Sequence, residues 1–307
     1  MSFTHWIQAA RPRTLVAAAI PVAVAAMIFR LHSVGYPGWL RDVLGCTLFA
    51  LLAQVISNLA NDLGDGQKGT DQPGRIGPPR AVAEGRISPG AMTWGIVVLI
   101  LLALAVGFAT AGFNPWLVAA GILALVLALG YTLGPFPLAY VGLGDVFVVA
   151  CFGIQATVLT GYILWNESLA VMPANSVSWS LLGWDLAWAG LGIGLLADNI
   201  LLSNNARDRL TDALAGKRTT VVRFGLGFAR QLHGFNLVLG IGALSYVFGW
   251  PPLLLIPLAI WDHRGFRAAS EPIEFVPFLA RSAFLLLLAG LLCITGACLG
   301  WSPLLPK

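Results

Sequence analysis

The chain has 307 residues, 58% hydrophobic and only 10% charged, and its 18 Lys and Arg against 14 Asp and Glu leave a net charge of +4. A water-soluble globule carries about a quarter of its residues as charged side chains, so this composition excludes an ordinary soluble fold. The small basic excess does not indicate nucleic-acid binding, because the basic residues are flanked by acids and are not interleaved with aromatics on one face.

Residues 87–144, 231–261 and 282–306 contain no Asp, Glu, Lys or Arg. A spanning helix needs about 20 apolar residues. The first stretch therefore holds two crossings, with Asn114-Pro115 as the turn between them. In chain order the predicted spans are 14–30, 42–62, 91–112, 115–133, 145–166, 184–204, 229–249, 251–268 and 282–302. Only Trp250-Pro251-Pro252 separates the seventh from the eighth. The expected fold class is all-α: a polytopic membrane protein of about nine transmembrane helices, one integral domain over 1–307 with repeat halves of about 10–140 and 141–302. Continuously apolar segments disfavour a β-barrel, whose strands alternate. Ala23-Val24-Ala25 after Arg11 and Arg13 would also suit a cleaved signal peptide, but the apolar run continues to Phe29 and a multi-span remainder needs no separate export signal.

Nine crossings place the termini on opposite sides. With the N-terminus cytoplasmic, 15 of the 18 Lys and Arg fall on the cytoplasmic side, leaving Arg30, Arg41 and Lys307 outside, as the positive-inside rule requires. Trp6, Trp94, Trp116, Trp165, Trp250 and Trp301 lie near span ends as interfacial anchors. Cys46, Cys151, Cys293 and Cys298 all lie within predicted spans and read as packing residues. His5, His32, His233 and His263 show no paired spacing, so a His-based metal site is not expected.

Two segments interrupt the apolar pattern in the same way. Ser57-Asn58-Leu59-Ala60-Asn61-Asp62-Leu63-Gly64-Asp65-Gly66-Gln67-Lys68-Gly69-Thr70-Asp71 closes the second span. Ser203-Asn204-Asn205-Ala206-Arg207-Asp208-Arg209-Leu210-Thr211-Asp212, followed by Gly216-Lys217-Arg218-Thr219, closes the sixth. At an offset of 146 they share Ser, Asn, Ala and Asp at 57/203, 58/204, 60/206 and 62/208. Lying four spans apart, they point the same way, which reads as a parallel internal repeat with one polar mouth per half on a single face.

Asn58, Asp62 and Asp65 fall at i, i+4 and i+7, and Asn204, Asp208 and Asp212 at i, i+4 and i+8, so each set lines one helix face. Carboxylates gathered at membrane depth repel one another and are costly, and a hard divalent cation held by oxygen ligands relieves both problems. Mg2+ held by few carboxylates takes its other ligands from water and substrate phosphate, and the nearby Lys68, Arg75, Arg80, Lys217 and Arg218 suit an anionic diphosphate. A solvated helix cap would explain one such loop. Two copies at one register, in a chain with only 14 acids, favour a metal-bridged diphosphate. Gly64-Asp65-Gly66 is not a P-loop, since it lacks the strand and the Gly-Lys-Ser/Thr ending.

At these residues the chain resembles the UbiA superfamily of intramembrane prenyltransferases, through Asn61-Asp62-x-x-Asp65 and Asp208-x-x-x-Asp212 at helix ends. The resemblance is closest to its MenA branch, which prenylates 1,4-dihydroxy-2-naphthoate in menaquinone synthesis. Ala10-Arg11-Pro12-Arg13-Thr14-Leu15, Arg75-Ile76-Gly77-Pro78, Tyr131-Thr132, Gly142-Leu143-Gly144-Asp145 and Gly216-Lys217-Arg218-Thr219 carry that narrower match. The third acid of the general box falls two residues late, at Asp71, a spacing this branch shares, and Asp198 inside the sixth span has no counterpart in the pattern.

The resemblance implies Mg2+ held by Asp62, Asp65, Asp208 and Asp212, and a polyprenyl diphosphate bound with Asn58, Asn61, Lys68, Arg75, Arg80, Asn204, Lys217 and Arg218. It implies prenyl transfer to 1,4-dihydroxy-2-naphthoate with release of diphosphate and CO2, giving demethylmenaquinol, in the bacterial cell membrane. Tyr131, Tyr140 and Asp145 are candidates for orienting the acceptor ring. The alternatives are a relative that uses 4-hydroxybenzoate or homogentisate and, from a different class, a secondary transporter. A transporter needs polar groups near the midplane on broken helices, whereas both acidic clusters sit at one mouth.

Overall fold

The computed structural model describes residues 2–33, 35–68, 76–77, 80–170 and 178–300. Among these residues the chain is helical throughout and forms no strand. In order the helices are α1 (Phe3–Ala10), α2 (Val16–His32), α3 (Trp39–Lys68), α4 (Pro89–Ala111), α5 (Pro115–Gly130), α6 (Gly144–Phe147), α7 (Ala156–Ser168), α8 (Trp179–Leu214), α9 (Thr220–Phe248), α10 (Ile256–Ala268) and α11 (Val276–Cys298). A π-helical segment, Val148–Gln155, joins α6 to α7.

The local chemistry explains the breaks. Ser88 caps α4 by accepting the Ala91 amide, and Asn114 caps α5 by accepting those of Trp116 and Leu117, each with Pro at the first helical position where no donor is lost. Gly225, at φ 76°, kinks α9 near its start. The polar boxes do not end their helices. Each continues as helix beyond the predicted span, α3 to Lys68 and α8 to Leu214.

Every predicted span is helical over most of its length, but fewer than nine meet the length and apolarity of a crossing. Six helical segments do, and a seventh crossing arises if Phe3–Thr14 and Val16–His32, bent by 50°, are taken as one. The shortfall lies in α5, of 16 residues, and α10, of 13. α10 carries Asp262, His263, Arg264 and Arg267, and the proline-led 3-10 turn Pro251–Leu255 holds the residues that would lengthen it. The fold also brings the sequence-distant His233 and His263 together, with their Nδ1 atoms 3.2 Å apart.

Apolar packing divides into two main cores. One joins α2, α7, α8, α9 and α11 through residues such as Phe29, Leu164, Leu186, Leu244 and Leu286. The other joins α1, α3, α4 and α5 through Ala9, Ile56, Leu59, Met92 and Leu125. The first core is drawn tight by glycine. A Cβ at Gly194 of α8 would lie 2.7 Å from the Val149 carbonyl oxygen, and one at Gly192 would lie 2.8 Å from the Gly240 carbonyl oxygen of α9. α8 therefore meets the π-helical segment on one side and α9 on another with backbone against backbone. Gly194→Val is expected to cost about 1–3 kcal/mol by overpacking, seen as a lower thermal midpoint of the detergent-solubilised protein. Gly242→Ala, whose Cβ would meet nothing within 4 Å, should leave that midpoint unchanged or raised.

Candidate active site at the junction of the two polar boxes

The fold brings the C-terminal turns of α3 and α8 together. Asp65 is 2% exposed and accepts the Tyr140 hydroxyl at 2.8 Å. The Lys217 ammonium lies 3.5 Å from Asp65 and 4.0 Å from Asp212, one cation between acids of the two boxes. Arg80 approaches Asp65 at 3.6 Å. Lys68 donates to the Thr132 carbonyl at 3.1 Å and stands 4.1 Å above the Tyr140 ring. Asp208 is held by the adjacent Arg207 through two 2.7 Å hydrogen bonds.

Other predicted residues are held by contacts of their own. Asp62 is 1% exposed, and its two oxygens accept the backbone amides of Ala81 and Val82 at 3.0 and 2.9 Å. Expected as a metal ligand, it here fixes the turn after the first box. The reason is geometric: a carboxylate one residue past Asn61 on α3 faces the returning chain. Asn58 is similarly engaged, donating to the Ala10 carbonyl at 2.9 Å and to Thr14 at 3.1 Å, so it fastens the corner between α1 and α2. Arg218 is exposed, and its backbone amide donates to the Tyr140 carbonyl. Arg75 and Asp71 lie outside the described residues. Among the described residues no three His, Cys, Asp or Glu side chains form a metal-holding group. The acids are instead satisfied by amides, a phenol and cations from their own chain.

A polar cavity of about 110 Å³ opens one helical turn deeper. Asn58, Asn61 and Asn204 line it, each four residues before an acid, Asp62, Asp65 and Asp208. The Asn61 side-chain oxygen is buried and accepts no hydrogen bond. Of the three acceptor candidates only Tyr131 lines this cavity, its ring centroid 5.2 Å from that of Phe147. Tyr140 serves Asp65. Asp145 lies behind the wall, accepting the Thr220 hydroxyl at 2.8 Å. Asp198, 1% exposed, accepts an Asn236 amide hydrogen at 2.9 Å.

The lining also includes Gln54 and Arg11, which are not among the site residues expected from the sequence. Gln54 donates to Thr14 at 3.2 Å and to Asn58 at 3.3 Å, continuing the polar row of α3 one turn inward, a signal visible in the i, i+4 spacing. Arg11 lines the cavity from a left-handed backbone conformation at φ 50°, rare for a residue with a side chain and frequent at functional sites. Gln54, Ser57, Phe147 and Phe152 are shared with a second cavity of about 160 Å³, predominantly apolar, running between α2, α3, α4, α5 and α7.

An all-helical membrane bundle with paired acidic boxes over an apolar cavity is the architecture of an intramembrane prenyl-transfer protein. Residues 18–272 match the UbiA prenyltransferase family, and the chain belongs to that family. It is 33% identical to a 1,4-dihydroxy-2-naphthoate octaprenyltransferase of Haemophilus influenzae, over 96% of both chains. A protein of the same description in Escherichia coli is 31% identical, covering 95% of this chain and 94% of the relative. The fold is shared with a UbiA homologue from Archaeoglobus fulgidus bound to DMAPP and Mg2+, with a TM-score of 0.56 at 20% identity over 94% of this chain and 99% of that one.

Removing the Asp62 carboxylate leaves two amides without their acceptors. Asp62→Ala should therefore speed hydrogen exchange at Ala81 and Val82 and cost about 1–3 kcal/mol, whereas Asp65→Ala should leave both amides protected.

Proposed function

We propose that the protein transfers a polyprenyl group from polyprenyl diphosphate to 1,4-dihydroxy-2-naphthoate, with release of diphosphate and CO2, giving demethylmenaquinol in menaquinone biosynthesis. One observation carries the site assignment. Lys217 stands between Asp65 and Asp212 at the head of a polar cavity that continues into an apolar one. Charge, polar contacts and room for a hydrocarbon tail follow in the order in which a prenyl diphosphate presents them.

The donor set fits a hard divalent cation such as Mg2+. Asp65 and Asp212 already converge on one positive centre, and the buried, unsatisfied oxygen of Asn61 lies a turn below. Asp62, Asp65, Asp208 and Asp212 would hold the metal, with Asn61 and Asn204 beside it. When bound, the metal supplies charge stabilisation to the departing diphosphate. Lys217, Lys68 and Arg80 take up the rest of the developing charge from around Tyr140 and Asp65. Arg218, exposed just after Lys217, is a further candidate for the same diphosphate, and so by the sequence pattern is Arg75.

As the C1–O bond of the donor breaks, its electron pair leaves with the diphosphate. C1 bonds to the ring carbon that bears the carboxylate, and the electrons released with CO2 restore the aromatic ring. Apolar walls at Phe147, Phe152 and Val148 exclude water from the allylic cation. Arg11, the one cationic side chain lining the polar cavity among the described residues, suits the acceptor carboxylate, and Tyr131 suits a ring hydroxyl.

The gathering of Lys68, Arg207, Arg209, Lys217 and Arg218 around the ends of α3 and α8 supports a cytoplasmic mouth in the bacterial membrane. The two boxes at one mouth support a single 1–307 domain built from halves near 10–140 and 141–302.

The deciding measurement is a product assay with purified protein, Mg2+, prenyl diphosphates and aromatic acceptors. Turnover of 4-hydroxybenzoate or homogentisate without the naphthoate would refute the acceptor. Asp65→Ala and Asp212→Ala are each expected to lower kcat on the order of 10²-fold or more, and Arg11→Ala to raise KM for the naphthoate more than for the prenyl diphosphate.

A further inference from the structure

The apolar cavity is not uniform along its length. Phe49 of α3 lines it, and the ring lies against the two facing helices at glycines. A Cβ built on Gly107 of α4 would meet the ring at 3.5 Å, and one on Gly121 of α5 at 3.6 Å, both ordinary van der Waals separations. Phe49 therefore spans from α3 to both α4 and α5 without strain, because neither helix offers a side chain at that level. The site side of the ring is lined by Ala50, Ala53, Gln54, Ser57 and Ala128, and the far side by Gly45, Cys46, Thr110, Ala111, Leu117 and Val118.

The far compartment is apolar in effect. The Thr110 hydroxyl is spent on the Val106 carbonyl at 2.8 Å and leaves its methyl to the cavity. At about 1.5 Å of rise per residue, the Phe49 level lies about 24 Å along α3 from Asp65 and about 12 Å beyond Ser57. Phe108 and Ile122, each next to one of these glycines, are exposed, so the cavity wall borders lipid-facing side chains at the level of the ring.

We infer that Phe49, with Gly107 and Gly121 as its seats, sets prenyl-chain-length selectivity, dividing an inner compartment that every donor fills from an outer one that only longer donors enter. This rests on the reading of the apolar cavity as the seat of the prenyl tail. The occupant is argued from the cavity's continuity with the polar one through Gln54, Ser57, Phe147 and Phe152. Two changes act in opposite directions. Phe49→Ala, or the milder Phe49→Leu, widens the passage. Gly121→Leu adds a side chain at the same level and narrows it.

The test is a competition assay with the full chain in detergent, the naphthoate acceptor, and geranyl, geranylgeranyl and octaprenyl diphosphates in one mixture. Geranyl diphosphate, too short to reach the ring, is the internal reference. Relative to it, Phe49→Leu and Phe49→Ala should raise kcat/KM for the longest donor, and Gly121→Leu should lower it, by about tenfold in each direction. Equal long-to-short ratios in the wild type, Phe49→Leu and Gly121→Leu, with geranyl turnover retained, would overturn the assignment. Failure of the wild type to use any prenyl diphosphate would instead overturn the function on which it rests.

Discussion

Acids placed where an apolar bundle meets its polar mouth persist only if positive charge or hydrogen-bond donors reach them. Lys217 satisfies that requirement for both boxes at once, at 3.5 Å from Asp65 and 4.0 Å from Asp212. Its position is set by backbone. Gly216 turns the chain at φ 72°, the Lys217 amide returns to the Asp212 carbonyl at 2.8 Å, and the Arg218 amide reaches the Tyr140 carbonyl at 3.1 Å. Because Tyr140 also donates to Asp65, one short turn after α8 stitches together the end of α3, the segment before α6 and α8 itself. The convergence of the two boxes is thus a property of the fold and not of side-chain chance.

Around that stitch the polar residues sort into layers. The acids and lysines form the outer layer, Asn61 and Asn204 the next one inward, and Gln54 and Ser57 the floor shared with the apolar cavity. Neutral amides stand between full charge and hydrocarbon, so each step into lower dielectric removes a charge before it becomes costly. Asp62 and Asn58 stabilise the frame of this arrangement, one holding the turn after α3 and the other the corner before α2.

The helical class, the span positions and the juxtaposed boxes were legible because period and register are written locally: an acid at i+4 from an asparagine shares its helix face wherever the helix goes. What Asp62 and Asn58 do was not legible, since their partners, Ala81, Val82, Ala10 and Thr14, come from elements whose approach depends on tertiary packing. The same holds for Asp145, which lies beside Tyr131 in the motif pattern yet turns to Thr220. Arg11 was read as a topology determinant and part of a family motif. Its left-handed backbone, which marks it as more, is invisible before folding. The count of about nine is somewhat more than the six or seven helices of crossing length, because hydropathy registers apolar residues and not helix length, so α5, with 16 residues, and α10, with 13, count in full.

The two cores also give the molecule unequal walls. On one side of the cavity, α8 is locked backbone to backbone against the π-helical segment and α9 by Gly194, Gly192 and Gly240, contacts that leave no room for sliding. On the other side, α4 and α5 meet their neighbours through side chains set against glycine, Thr110 on Gly45, Trp6 on Gly95 and Phe49 on Gly107 and Gly121, and residues 89–130 contain no charged group. The backbone-locked wall includes α8, which carries the second acidic box, so the glycines that fix α8 against its neighbours also fix where Asp208 and Asp212 stand. Tail-facing surface and charged chemistry are thus divided between different helices.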